Sequence, residues 1–261
     1  MHRAAYDELG LDWSYDRVEV AADTLPGFLQ GLGPEWRGLS LTMPLKRAVM
    51  PLADGHDEWS LRTGAANTLV LEQGRRAAAN TDVPGARAAL EERGLHSVES
   101  VVVLGGGATA ASVLLALTGL GCTRARLLVR DPARADETLA TVSAHPEAPQ
   151  LSVGALDEVR PQQADLVVST IPATAQLPHV LAALADVPAV FEVVYAPWRT
   201  PLSDAARDSG RVLVSGIDLL AHQAVLQVQL MTGGKVPPAL LRETALAELG
   251  RRAVRGSDES D

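Results

Sequence analysis

Up to about residue 97 the apolar positions change period every few residues; beyond it they settle into short β-branched runs separated by helical stretches. In the first part, "RAAYDELG" spaces its apolar residues for a helix that Gly10 ends, and "WSYDRVEV" then alternates as a strand does. "TLPGFLQGLG" predicts a short helix and "WRGLSLTM" a second strand. Pro44 opens a further helix that Pro51 limits to about two turns. Two alternating runs then flank Gln73-Gly74, the signature of a hairpin turn. Asn67-Thr68 stands before the first run and Asn80-Thr81 after the second, so antiparallel pairing brings the two dipeptides together at the hairpin's open end. Asp82 lies just beyond, ahead of a helix that Pro84 begins and Gly94 stops.

The second part reads "VESVVVLGGG", "ARLLVR", "QLSVGAL", "ADLVVSTIP", "VPAVFEVVY" and "RVLVSG". Such runs, separated by helical segments, predict a parallel sheet with helices on both faces, an α/β fold. "GIDLLAHQAVLQVQLMTG" is a long apolar-periodic helix, "PPALLRETALAELGRRAV" follows it, and "RGSDESD" predicts a frayed polar end.

Composition narrows the function. A formal net charge of −9 argues against nucleic acid or an anionic membrane as partner, since both need a basic surface, but leaves room for one small cationic pocket. Cys122 is the single cysteine, so no intrachain disulfide forms, and a reducing, cytoplasmic setting is expected. The first residues are charged and amphipathic rather than a secretory signal. Val101–Cys122 is uncharged and long enough to span a bilayer, but its glycine triplet reads as strand, turn and buried helix instead. His2, His56, His96, His145, His179 and His222 show no metal-ligand spacing, and no metal is expected. No G-x-S-x-G is present and Cys122 sits in an apolar run, so nucleophilic hydrolysis lacks candidates.

Gly105-Gly106-Gly107-Ala108-Thr109-Ala110 fits G-x-G-x-x-A between a strand and a helix. The first glycine permits the tight turn, the second the approach of a pyrophosphate, and the small last residue close helix–strand packing. A dinucleotide site is expected there. At the end of the next strand stand Arg130 and, a helical turn on, Arg134, both suited to the 2′-phosphate of NADP. Asp131 between them is either a ligand for an NAD ribose or a helix cap, and Arg134 is equally a solvated helix face. Of 23 cationic side chains only Lys46 and Lys235 are lysines. Lysine can release its proton where arginine cannot, so Lys46 is either a proton-transfer group or a surface amine at a helix start. Asp82 is likewise either an acid or an N-cap.

"SLTMPLK", "GAANTL", "NTDVPG", "VVVLGGGATA", "VYAPWRTPL" and "GIDLLAHQAVLQVQLMTG" occur in the order and spacing of shikimate dehydrogenases, and the chain resembles that family along nearly its whole length. The resemblance implies an N-terminal α/β substrate domain, residues 1–82 with 217–261, and a Rossmann-like doubly wound nucleotide domain, residues 83–216. C-terminal helices return to the substrate domain, and the active site lies in the interdomain cleft. It implies NADP-dependent, reversible reduction of 3-dehydroshikimate to shikimate in chorismate and aromatic amino-acid biosynthesis. Position by position, Lys46 and Asp82 match the catalytic pair; Thr42, Asn67 and Gln223 match residues on the substrate hydroxyls, and Tyr195 the tyrosine near its carboxylate. Gly105, Gly106, Gly107, Ala108, Thr109 and Ala110 match the pyrophosphate turn, Arg130 and Arg134 the 2′-phosphate site, and Gly216 the backbone beside the nicotinamide. A homodimer stays open. Relatives begin with a strand and a Ser-x-Ser stretch upstream of "HRAAYDELG", where this sequence starts; either Met1 is not the true start or the protein is a shortened one. For the shortened form, an exposed sheet edge and weaker grip on the substrate carboxylate are expected. Two alternative readings are an NAD-using enzyme acting on quinate or shikimate, from Asp131, and a non-catalytic nucleotide- or metabolite-binding relative, from the short start.

Overall fold

A computed structural model describes residues 1–196 and 199–258; for Arg134 and for 252–258 only the backbone is described. The chain divides into two units, Met1–Thr81 with Leu220–Asp261, and Asp82–Leu219.

In the first unit the opening amphipathic stretch is α1 (His2–Glu8), and Gly10 leaves it with φ 65°. The expected strand over "WSYDRVEV" is absent among the described residues, where 11–21 run without sheet pairing. Its alternation has another cause. Leu11, Trp13 and Tyr15 pack on the cluster of Ala5 and Tyr6, and the Tyr15 ring stacks on His2 at 4.1 Å. An extended chain can bury alternate residues against helices without a partner strand. Next come α2 (Leu25–Gln30), β1 (Gly38–Ser40), α3 (Leu45–Ala48) and a 3-10 turn at Met50–Leu52. β2 (Gly55–His56), α4 (Glu58–Thr63), β3 (Thr68–Glu72) and β4 (Arg75–Ala79) complete this part. The sheet order is β1-β3-β4-β2. β3 and β4 are the expected hairpin, with Glu72 opposite Arg75 and Thr68 opposite Ala79. Gln73 and Gly74 turn it with φ 50° and 76°, the doubly left-handed turn whose twist suits a tight hairpin. Leu25, Leu29, Leu41, Val49, Leu69 and Ala78 form the core beneath.

The second unit opens with α5 (Asp82–Glu92), ended at Gly94, φ 82°, where Leu95 N donates to Leu90 O. Every one of the six β-branched runs becomes a strand: β5 (Ser100–Leu104), β6 (Arg124–Val129), β7 (Gln150–Ala155), β8 (Leu166–Ser169), β9 (Ala189–Glu192) and β10 (Val212–Ser215). All neighbours pair parallel in the order β10-β9-β8-β5-β6-β7. Counted from β5 this is 3-2-1-4-5-6, the doubly wound dinucleotide-binding order. Between them lie α6 (Ala108–Thr118), α7 (Asp136–Ser143), α8 (Pro178–Ala183) and α9 (Pro201–Asp208). Val102, Leu104, Leu128, Val167, Val190 and Leu202 are among its buried core residues. Val101–Cys122 is therefore strand, turn and an eleven-residue helix, and no described helix is long and apolar enough to cross a membrane.

α10 (Gly216–Thr232) starts in the second unit and continues into the first, where α11 (Pro238–Asp258) follows. Ser215 caps it: Ser215 N donates to Asp218 Oδ2 at 2.8 Å and Asp218 N donates to Ser215 Oγ at 3.2 Å. Arg93 Nη2 reaches the fully buried Asp218 Oδ1 at 2.8 Å. Burial alone would raise the Asp218 carboxyl; the Ser215 amide and Arg93 outweigh it and hold it below its usual 3.8. A depressed carboxyl stabilises the fold above its unfolded pKa, and that contribution is lost as pH falls through the folded value. Asp218→Asn is expected to cost about 1–3 kcal/mol at neutral pH. In urea titrations the gap between the two proteins should narrow below pH 3.8; an unchanging gap would show that the Asp218 charge contributes nothing.

Candidate functional site

In the first unit the hairpin's open end gathers the predicted polar residues. Asn67 Nδ2 donates to Thr81 Oγ1 at 2.9 Å, and Asn67 Oδ1 accepts from Thr81 N at 2.9 Å. Asn67 is buried, so its amide is committed to closing the hairpin. Asn80 turns the other way: its Nδ2 donates to Thr63 Oγ1 and Ala65 O, both at 2.9 Å, and its N to the Asp57 carboxylate at 3.2 Å. The segment carrying Thr42 and Lys46 lies alongside. Leu41 N donates to Asn67 O at 2.8 Å, and Ala66 N donates to Lys46 O at 2.7 Å. Thr42 is exposed and Lys46 half-buried on α3, which is a single turn and not the two turns expected. Pro51 falls inside the following 3-10 turn, which is where regular helix gives out.

Gln227 is the residue that sequence reasoning missed here. It is buried on α10; its Nε2 donates to Asn67 O at 3.1 Å and Thr68 Oγ1 at 3.0 Å, and its Oε1 accepts from Ser40 Oγ at 3.1 Å. One amide thus joins β1, β3 and α10. Gln223 is half-buried four residues earlier, hence on the same helical face. The apolar stripe of α10 hid Gln227; only the unusual placing of two glutamines one turn apart hinted at it.

In the second unit all strands are parallel, so the residues at their carboxyl ends share one edge of the sheet. Gly105 follows β5 with φ 105°, and a Cβ there would lie 2.3 Å from Thr170 Oγ1. No other residue fits that turn. A Cβ on Gly106 would press within 3.0 Å of Ala135. Gly107 is the N-cap of α6, and nothing lies within 4 Å of where its Cβ would stand. Free amides at a helix start beside open space suit a phosphate, so the residues present fit a dinucleotide. Ala108 and Thr109 form the helix start, and Ala110 is fully buried against the sheet. Thr138 on α7, not anticipated from sequence, pins the turn: its Oγ1 donates to Gly106 O at 2.9 Å and lies 3.2 Å from Gly107 O.

Arg130 is exposed at the end of β6. Asp131 is the N-cap of the 3-10 turn Pro132–Ala135, its Oδ1 accepting from Ala133 N at 3.1 Å. Of its two readings the structure has the cap. The Arg134 side chain lies outside the described residues.

At the end of β9 Glu192 is 2% exposed. Gln176 Nε2 donates to its Oε2 at 2.6 Å, Thr200 Oγ1 to the same oxygen at 2.9 Å, and Val194 N to Oε1 at 3.0 Å. Burial pushes this carboxyl up, against those donors, which favour its ionised form. Tyr195 follows, 40% exposed, and Gly216 opposes it: a Cβ there would stand 2.1 Å from Val193 O and 3.3 Å from the Tyr195 ring. Asp82, the residue after Thr81, is the buried first residue of α5.

Residues 1–69 match the family model of the shikimate dehydrogenase substrate binding domain. The chain is 34% identical over 243 residues to the shikimate dehydrogenase (NADP(+)) of Sphingopyxis alaskensis, covering 91% of this chain and 86% of that protein. The crystal structure of Mycobacterium tuberculosis shikimate dehydrogenase matches with a TM-score of 0.82 at 35% identity, over 95% of this chain and 92% of that one. Shikimate 5-dehydrogenase from Thermus thermophilus, in complex with NADP(H) and shikimate, matches with a TM-score of 0.77 at 28% identity, over 97% and 92% of the two chains. A glycine turn built for a dinucleotide and a hairpin end dense in polar side chains thus coincide with whole-length similarity, and this chain belongs to the shikimate dehydrogenase family.

Proposed function

We propose that the protein is an NADP-dependent shikimate dehydrogenase, reducing 3-dehydroshikimate reversibly to shikimate in aromatic amino-acid biosynthesis. One observation carries the reading: similarity to these dehydrogenases covers 91% of the chain, so the lysine segment, the hairpin end and the glycine turn all fall within it. The first unit takes the substrate and the second the dinucleotide. When bound, the nicotinamide supplies or accepts the hydride.

The chain's own residues do the rest. Lys46 and Asp82 manage the proton at the oxygen that alternates between ketone and hydroxyl. An amine can hold that proton and release it, and a carboxylate can take it up in turn. Supporting this pairing, Lys46 O is bonded to Ala66 N, and Asn67 beside it is bonded to Thr81, the residue before Asp82. Thr42, Asn67 and Gln223 hold the substrate hydroxyls, and Tyr195 its carboxylate side. Asn67 has its amide engaged with Thr81, so a substrate hydroxyl would share that group. Gly105–Ala110 cradle the pyrophosphate at the head of α6, Gly216 gives the backbone access beside the nicotinamide, and Arg130 and Arg134 grip the 2′-phosphate. The Asp131 carboxylate is turned onto Ala133 N, which counts against the NAD-ribose alternative. The buried lone thiol Cys122 suits a reducing cytoplasm.

Lys46→Ala is expected to lower kcat for shikimate oxidation by about 10²–10⁴-fold with unchanged circular dichroism, and Lys46→Arg to fail equally because a guanidinium keeps its proton. Near-normal turnover by either variant removes the role. Arg130→Ala is expected to reduce the NADP-over-NAD preference in kcat/KM by about tenfold to a hundredfold; an unchanged ratio would move the 2′-phosphate site elsewhere.

A further inference from the structure

Glu192 is a buried carboxyl that neither the proton chemistry nor the dinucleotide site uses, and it has no cation within ion-pair reach among the described residues. Desolvating a carboxylate costs several kcal/mol unless its lone pairs are filled. Here they are filled by donors from three separate places. Gln176 follows the 3-10 turn Ala173–Ala175 after β8, Thr200 is the N-cap of α9, and Val194 is the second residue beyond β9. Both side-chain donors are themselves locked. Gln176 Oε1 accepts from Leu202 N at 2.9 Å, and its Nε2 also lies 3.3 Å from Ser169 Oγ. Thr200 Oγ1 accepts from Ser203 N at 3.2 Å while Ser203 Oγ accepts from Thr200 N at 2.9 Å, a capping box. The carboxylate therefore has a single orientation, with Oε1 aimed at Val194 N.

That bond fixes the backbone one residue before Tyr195. On its other side the same stretch is pressed against Gly216, where any side chain would collide with Val193 O at 2.1 Å. Tyr195 is thus set between a buried carboxylate that holds its backbone and a glycine that admits its ring. A polar network of this kind has high stakes: fully satisfied it fixes one geometry, and with one wrong partner it does not.

We propose that Glu192 is a positioning residue for the reaction, holding Val194 so that Tyr195 keeps one place beside Gly216 and can meet the substrate. The inference rests on the dehydrogenase reading for its kinetic consequence and on the hydrogen bonds alone for its structural one. Glu192→Gln tests it. The amide keeps the size but has one acceptor oxygen; with that oxygen toward Gln176 and Thr200, its NH₂ confronts Val194 N, donor against donor. In the full-length protein, hydrogen–deuterium exchange over Val193–Ala196 should quicken about tenfold or more, with β5 and α6 unchanged. The KM for shikimate should rise about tenfold, while binding of 2′,5′-ADP, which tests the adenosine half alone, stays the same. Combined with Tyr195→Phe, the loss in kcat/KM should be no greater than for Tyr195→Phe alone, since both act through one ring. Gln176→Met, which removes a donor and leaves the carboxylate, should reproduce the exchange pattern at smaller amplitude, and it carries the test if Glu192→Gln does not fold. Exchange that is unchanged at Val193–Ala196, or a lower melting temperature with KM unaltered and additive double-variant losses, overturns the proposal. Wild-type protein inert toward shikimate and NADP but with the expected exchange would sink the dehydrogenase reading and leave Glu192 as the anchor of Tyr195.

Discussion

The mutual hydrogen bonding of Asn67 and Thr81 is the constraint on which the first unit's arrangement depends. A strand's side chains alternate between faces, so a slip of one residue in the hairpin would exchange Thr81 for Asn80 and turn every following side chain over. Gln73 and Gly74, both at positive φ, exclude that slip by fixing the turn. With the register set, the two Asn-Thr dipeptides do different work. Asn67 closes the hairpin, and Asn80 points to the far side, where it satisfies Thr63 and Ala65 at the end of α4. Asn67 O and the adjoining Ala66 N then hold Leu41 and Lys46, so the lysine segment inherits its place from the hairpin.

Local period and turn chemistry were enough to read the six parallel strands, the hairpin and the glycine turn. Each of these is decided by neighbours within a few positions: β-branched runs, a Gln-Gly pair, a glycine that alone tolerates φ 105°. What misled was alternation taken for pairing. Trp13 and Tyr15 alternate because a helix cluster lies on one side of an extended chain. β2 went unread because two residues, Gly55 and His56, carry no period at all. Asp131 illustrates a different limit. Its sequence position suits a ribose ligand and a cap equally, and only the direction of its carboxylate, toward Ala133 N, separates them.

The polar residues that sequence did not disclose share one property: their side-chain partners lie outside their own helix or strand. Gln227 meets Asn67 and Ser40, Thr138 meets Gly106, and Glu192 meets Gln176 and Thr200. A polar side chain inside an apolar helix or at a strand end has no local signature for this. Its burial is tolerable only because every donor and acceptor finds a partner, which is a fact about the folded chain. Glu192 and Asp218 show how the partner type matters. Both are buried carboxyls, yet Asp218 has a guanidinium and is held low, whereas Glu192 has only neutral donors and is pushed up. Their contributions to stability run in opposite directions with pH: Asp218's disappears toward acid, and Glu192's is lost as pH rises through its folded value.

The scarcity of lysine carries less of the functional argument than its position does. Two lysines stand among 23 cationic side chains, and the composition singles out both equally. Lys235 is exposed in the connection between α10 and α11. Lys46 is half-buried, with its carbonyl tied to Ala66 and its neighbours tied to the hairpin that carries Asn67. An ammonium is more compact than a guanidinium, and that difference underlies the role proposed for Lys46. The two lysines are thus told apart by where the folded backbone puts them, residue 46 beside the hairpin and residue 235 in an exposed connection.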